Sequence, residues 1–149
     1  MIRQLQPWLA NIHKRQIKAP KIYFRDSGIY HSLSGIDDKT NLLVNPKLGA
    51  SWEGFALEEI IRFHNAAPEE CYFWGIHAQA ELDLLIIKNG KRIGFEFKYA
   101  DAPTSTKSLQ QAMHYLKLNQ AFIITPGRHS FPLTREIRVI GIEKYLKTL

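Results

Sequence analysis

Apolar and polar positions alternate most clearly between Ala80 and Ala100, in the run AELDLLIIKNGKRIGFEFKYA. Two mainly apolar stretches, Leu82–Ile87 and Arg92–Phe97, flank Asn89-Gly90. An Asn-Gly pair between such stretches predicts a hairpin, because a two-residue type I′ turn needs positive φ at both positions. That turn sets Lys88 against Lys91. Counting outward, it sets Leu84 against Phe95, Asp83 against Glu96 and Glu81 against Lys98. Side chains alternate along a strand. Leu82, Leu84, Ile86, Ile93, Phe95 and Phe97 then share a core face, and Glu81, Asp83, Glu96 and Lys98 share the other. A bulge in either strand would shift this register.

The remaining pattern predicts a chain of alternating helices and strands. Residues 1–20 hold Pro7, a short Trp8–Ile17 segment and Pro20, and read as a connecting arm. Lys21–Phe24 reads as a short strand. Asp26-Ser27 caps a helix over Gly28–Leu33, which Gly35 closes. Ile36–Gly49 is a loop rich in turn residues. Ser51–Asn65 is the clearest helix, with an apolar arc of Trp52, Phe55, Ala56, Leu57, Ile60, Ile61 and Phe63. Glu58, Arg62 and Asn65 fall on its polar side and Glu59 at the rim. Glu53 falls inside the arc.

Downstream, Ala66–Glu70 is a loop and Cys71–Ile76 an aromatic strand. Ala102-Pro103-Thr104 breaks the chain after the hairpin. Ser105–Leu118 is an amphipathic helix with Gln111 and Tyr115 four residues apart on one face. Asn119–Thr125 is a buried strand, Pro126-Gly127 a turn, Glu136–Ile142 a last strand and Glu143–Leu149 a short helix. The order implies one α/β domain over 1–149. The strand holding Glu96, the crossover helix and the next strand suggest a parallel pair beside the antiparallel hairpin, hence a mixed central sheet flanked by helices.

Composition narrows the classes. The 149 residues, 45% hydrophobic and 23% charged, suit a single globular domain. No 18-residue apolar run or secretory leader is evident, which points to no membrane partner and a cytoplasmic location. The single Cys71 excludes an internal disulfide and a cysteine-based zinc site. The six histidines lack ligand spacing, against a zinc or histidine-based hydrolase. A net charge of +6 favours a polyanionic partner, of which nucleic acid is the commonest.

The candidate chemistry lies in the acids. Opposed like charges destabilise a sheet. Asp83 and Glu96 therefore need compensation, either by a divalent cation, which takes oxygen ligands, or by Lys98 in a solvated charge ladder with Glu81 and Asp83. Glu53 adds a carboxylate that faces the core. The helix dipole tolerates an acid in the first turn but does not turn it inward.

The order of these groups resembles the PD-(D/E)xK nuclease superfamily. Glu96-Phe97-Lys98 is similar to its (D/E)-x-K, Asp83 to the preceding acid (with Leu82 where the family has Pro) and Glu53 to its helix glutamate. Gln111 and Tyr115 resemble a Gln-Tyr pair found in some branches. Over nearly the whole chain, Leu5-Gln6-Pro7-Trp8, Pro20 to Gly28, Trp52-Glu53-Gly54-Phe55, Glu81-Leu82-Asp83 and Glu96-Phe97-Lys98 resemble the DUF4143 domain, usually the C-terminal part of proteins with an AAA-type ATPase part. Gly75-Ile76, where that family commonly has Arg-Thr, and Ser27 depart from its pattern. No G-x-x-x-x-G-K-[S/T] is present, so the chain resembles that C-terminal part standing alone.

The resemblance implies a restriction-endonuclease-like core over 49–142, preceded by an arm and short helix (1–48) and followed by a helix (143–149). It implies Mg²⁺ or Mn²⁺ held by Asp83, Glu96, the Phe97 carbonyl and Glu53, with Lys98 stabilising developing charge and DNA as substrate. Glu81, Glu59, Gln111 and Tyr115 would be secondary. An alternative implication is a catalytically silent accessory or oligomerisation domain that binds an AAA-type ATPase or itself.

Overall fold

A computed structural model describes residues 1–101 and 103–148. Ala102 of the expected chain break and Leu149 of the expected last helix lie outside the described residues. The strands are β1 (Ile2–Pro7), β2 (Lys21–Phe24), β3 (Cys71–Ile76), β4 (Ala80–Lys88), β5 (Lys91–Phe97), β6 (Gln120–Thr125), β7 (Ser130–Pro132) and β8 (Ile137–Gly141). The helices are α1 (Ser27–Leu33), α2 (Lys39–Leu43), α3 (Leu48–Phe63), α4 (Lys107–Leu116) and α5 (Ile142–Tyr145). All the strands join one eight-stranded sheet in the order β2-β1-β3-β4-β5-β6-β8-β7. It is mixed: β4 and β5 pair antiparallel, while β5–β6 and β6–β8 pair parallel. Between β5 and β6 the chain crosses through α4, as the sequence pattern anticipates.

Two apolar layers sandwich the sheet. On one side Ala56, Leu57, Ile60 and Ile61 of α3 and Tyr145 of α5 pack on Phe73, Leu84, Ile86 and Phe95. On the other, Leu109, Ala112 and Leu116 of α4 pack on Trp74, Leu82, Leu85, Ile123 and Val139. The strands of the centre are apolar on both faces for this reason.

The hairpin turn forms as expected. Asn89 and Gly90 have φ of 51° and 73°, and Lys88 pairs with Lys91. The ladder keeps the anticipated register as far as Leu84 opposite Phe95, where the assigned pairs end. Here the expectation fails. Against β3, Tyr72 pairs with Leu85 but Trp74 pairs with Leu82. One residue of β3, Phe73, therefore lies opposite two of β4, which is a bulge at Asp83–Leu84. Leu82 consequently packs in the α4-side core beside Leu85, not with Leu84 and Ile86.

The expected connecting arm is corrected as well. Its first residues form β1, which pairs antiparallel with β2 and parallel with β3. Leu5 is 1% exposed. The arm was illegible because IRQLQP buries only alternate residues, Arg3 and Leu5, and one of these is charged. The expected loop at 36–49 holds α2 and the first residues of α3, and β7 was not anticipated.

Burying β1 against α3 also corrects the helix's polar side. Glu58 is 2% exposed, and its carboxylate takes two donors from Arg3: Nε to Oε1, and Nη2 to Oε2 at 3.0 Å. Arg25 Nε lies 3.6 Å away. Phe55, assigned to the apolar arc, is 41% exposed. Removing one partner of a buried pair leaves an uncompensated charge and costs about 3–5 kcal/mol. Glu58→Leu alone should lower the free energy of urea unfolding by that order, and adding Arg3→Met should recover most of it. A loss below about 1 kcal/mol for the single variant contradicts this role for the pair.

Candidate functional site

The acids gather where β4 and β5 leave their ladder. Asp83, at the bulge, accepts the backbone N–H of Phe97 on Oδ2 at 2.9 Å. Glu96, 6% exposed, is held from α4: Thr106 Oγ1 caps that helix by accepting Leu109 N–H and donates to Glu96 Oε2 at 3.1 Å. Lys98 Nζ is 2.9 Å from Glu96 Oε1. The E-x-K residues thus share one side of β5, as strand alternation requires. Glu53 comes from the first half of α3, and its Oε1 accepts the hydroxyl of Tyr23 at 2.9 Å. The inward turn of Glu53 therefore has a partner in β2.

Strand β2 supplies two groups that the sequence pattern did not single out. Lys21 and Tyr23 lie two residues apart and reach toward the acids. Lys21 Nζ is in ion-pair contact with Glu81 and 4.0 Å from Asp83 Oδ1. The expected ladder of Glu81 and Asp83 on Lys98 is replaced by this arrangement, with Lys98 on Glu96 and Lys21 on Glu81. The i, i+2 spacing of Lys21 and Tyr23 in KIYF was the available signal. Thr106 escapes the sequence pattern because that pattern starts α4 at Ser105, two residues too early, which makes the true cap an interior residue.

The charges are not balanced locally. Burial first, then the charge of Glu53 and less strongly that of Glu96, push the Asp83 carboxyl up to about 7, against the Phe97 N–H and Lys21, which pull it down. Burial disfavours the Lys98 ammonium, but its hydrogen bond to Glu96 and the charges of Glu96, Asp83 and Glu53 outweigh this and raise its pKa. Burial and the neighbouring acids also raise Tyr23, which stays a protonated donor to Glu53.

Other residues of interest lie apart from this centre. Glu59 pairs with Arg62 Nη1 at 2.6 Å on the outer part of α3. Tyr115 stacks beside Trp74 at 6.0 Å between ring centres, with Lys14 over its ring. The buried Gln111 Oε1 has no hydrogen-bond partner among the described residues. A cavity of about 300 Å³ opens beside Glu53 and Tyr23, bounded by Phe24, Tyr30 and Phe55.

The donor set suits a hard divalent cation: carboxylate oxygens at a shared site, carrying more negative charge than their lysines offset. Among the described residues, no three His, Cys, Asp or Glu side chains are arranged to hold one metal ion together. A magnesium site needs fewer, since Mg²⁺ keeps several waters and is commonly held by one or two carboxylates. The Asp83 carboxyl of β4 lies within reach of the charge of Glu53 and, less strongly, of that of Glu96.

The raised Asp83 carboxyl has a consequence for stability. A folded pKa above the unfolded value makes the folded state the stronger proton binder between roughly pH 4 and pH 7. Metal-free stability should therefore fall as pH rises through that window and level off above it, by up to about 4 kcal/mol. Asp83→Asn should flatten the fall when thermal unfolding is compared at about pH 5 and pH 8. Parallel curves for wild type and variant contradict the assignment.

Comparison with known proteins agrees on kinship and stops short of chemistry. The family described as Domain of unknown function (DUF4143) matches residues 48–145, and that described as Domain of unknown function (DUF8612) matches residues 1–40. The uncharacterized proteins Rv2008c of Mycobacterium tuberculosis and Mb2031c of Mycobacterium bovis are each 45% identical over 148 residues, 99% of this chain. The chain spans about a third of their length, 33% in each case. No solved structure matches. No helix is long and apolar enough to cross a membrane among the described residues. With α3, α4, α5, the strands β3 to β8, its acids and its E-x-K inside the matched segment, the chain belongs to the DUF4143 family.

Proposed function

We propose that the chain is a Mg²⁺- or Mn²⁺-dependent nuclease domain with a restriction-endonuclease-like core, acting on DNA phosphodiesters. The observation that carries this is the placement of Asp83, held by the Phe97 N–H at 2.9 Å, with Glu96, held by Thr106 at 3.1 Å and by Lys98 at 2.9 Å. A divalent cation would offset the mutual repulsion of these acids, which Lys98 and Lys21 compensate only in part. The element order around these residues supports the core assignment: α3, then β3, β4 and β5, then α4 and β6.

In this reading Asp83 and Glu96, with the Phe97 carbonyl, hold the cation, and Glu53 acts from α3 through water. The cation would supply Lewis acidity toward the scissile phosphate. Thr106 and Lys98 fix the orientation of Glu96. Lys98, 41% exposed, has its ammonium available to a phosphoryl oxygen as negative charge develops. Tyr23 holds Glu53 in its rotamer. The basic surface meets the DNA backbone without reading sequence.

The second reading is a catalytically silent accessory or oligomerisation module of an AAA-type ATPase. It is favoured by the match to only a third of the relatives' length and by exposed apolar side chains at Leu33, Leu43 and Val44. Cleavage assays on plasmid, single-stranded and branched DNA separate the two. With Mg²⁺ or Mn²⁺ the wild type should cut, and Asp83→Asn and Lys98→Ala should each lose on the order of 10²-fold or more, the usual scale for removing a preorganised charge. Equal residual activity in all three proteins leaves the silent module as the answer.

A further inference from the structure

We propose that Lys21 is a second substrate-facing cation of this site, one that binds a phosphate of the nucleic acid on the flank opposite Lys98. The inference rests on the nuclease-like reading of the acids and extends it to a residue outside the DUF4143 match, within the segment matched at residues 1–40.

Lys21 is pre-positioned. Strand β2 is held in the sheet by β1, with Leu5 opposite Lys21. The ammonium sits 5.3 Å from the centre of the buried Phe73 ring, which favours a cation over its face. Lys21 is 27% exposed, so its stem is partly fixed and less side-chain freedom remains to be lost on binding. Its present partner is the weak point. Glu81 is 44% exposed, and an ion pair to so solvated a carboxylate contributes little. Asp83 at 4.0 Å is at the edge of ion-pair range.

A phosphate carries acceptor oxygens that can replace Glu81 at little loss. The acid cluster also needs such a cation. Asp83, Glu96 and Glu53 repel an approaching polyanion, and Lys98 alone sets one positive charge against these three acids. Lys21 offsets that repulsion from the Asp83 side. Two lysines would then bracket the acids, one from β5 and one from β2.

A structural salt bridge and a phosphate contact differ in how the two variants, Lys21→Met and Glu81→Gln, combine. If Lys21 only pairs with Glu81, each variant acts on binding through its own change of charge and the two effects add in the double variant. If Lys21 binds phosphate, the first removes a contact and the second releases one. The test uses the full chain without metal, in EDTA, binding a fluorescent single-stranded oligonucleotide by anisotropy across salt concentrations.

Lys21→Met should weaken binding roughly three- to ten-fold near 0.1 M salt and lower the slope of log K against log salt by about 0.7. Lys21→Arg should retain binding. Glu81→Gln should tighten binding, and the gain should vanish in the Lys21→Met background, which separates release of Lys21 from simple loss of a negative charge. Shifts of the same sign for the two single variants, an unchanged slope, a gain that persists in the double variant, or no measurable binding each overturn the proposal. Cleavage is scored separately. A Glu81→Gln gain that vanishes in the Lys21→Met background, with no cleavage in any metal, would uphold Lys21 and sink the nuclease reading.

Discussion

One extra residue in β4 controls the geometry of the site. The bulge at Asp83–Leu84 releases β4 from its regular pairing while β5 continues beside β6, so the two strands part at the level of the acids. The opening exposes the Phe97 N–H to Asp83 instead of to a ladder partner. It also lets the two carboxylates take different supports: Asp83 from the backbone and β2, Glu96 from α4. Opposed acids in an unbroken ladder would repel at a fixed short separation. With the bulge each acid has donors of its own, the Phe97 N–H for Asp83 and Thr106 and Lys98 for Glu96.

The cluster depends in turn on β1 and β2. They cover the flank of α3 and carry Lys21 and Tyr23 to the acids. Their attachment is fastened by the Arg3–Glu58 pair and by Leu5 in the core. Glu58 and Glu53 are thus neighbours on α3 with different duties: one anchors the outer strands, the other faces the site through Tyr23. The segments matched by two family descriptions are parts of one sheet and of one site.

Much of this was legible in the residues. Asn89-Gly90 determined the hairpin register from Lys88–Lys91 to Leu84–Phe95, because a two-residue turn leaves no freedom in pairing. Helix phase placed Glu53 inside the apolar arc, and the crossover helix pointed to the parallel β5–β6 pair. The bulge was not legible, since ELDLLII reads equally well as an unbroken strand when both faces are buried. Glu58 was misread for a related reason. A helical projection counts polarity, and a buried glutamate paired with Arg3 looks the same as a solvated one until β1 is known to lie against it. Tyr23 and Lys21 drew no notice because a four-residue strand gives too short a pattern to reveal what its side chains face.

The central claim is that Asp83 and Glu96 form a cation site at the parting of β4 and β5. Paramagnetic Mn²⁺ tests it without requiring catalysis, since it broadens amide resonances close to where it binds. Titrated at substoichiometric concentration into the ¹⁵N-labelled chain, Mn²⁺ should broaden the amides of Asp83, Phe97 and Lys98 first, and excess Mg²⁺ should restore them. Broadening that begins at surface acids such as Glu143 or Glu69, or that Mg²⁺ does not reverse, contradicts it.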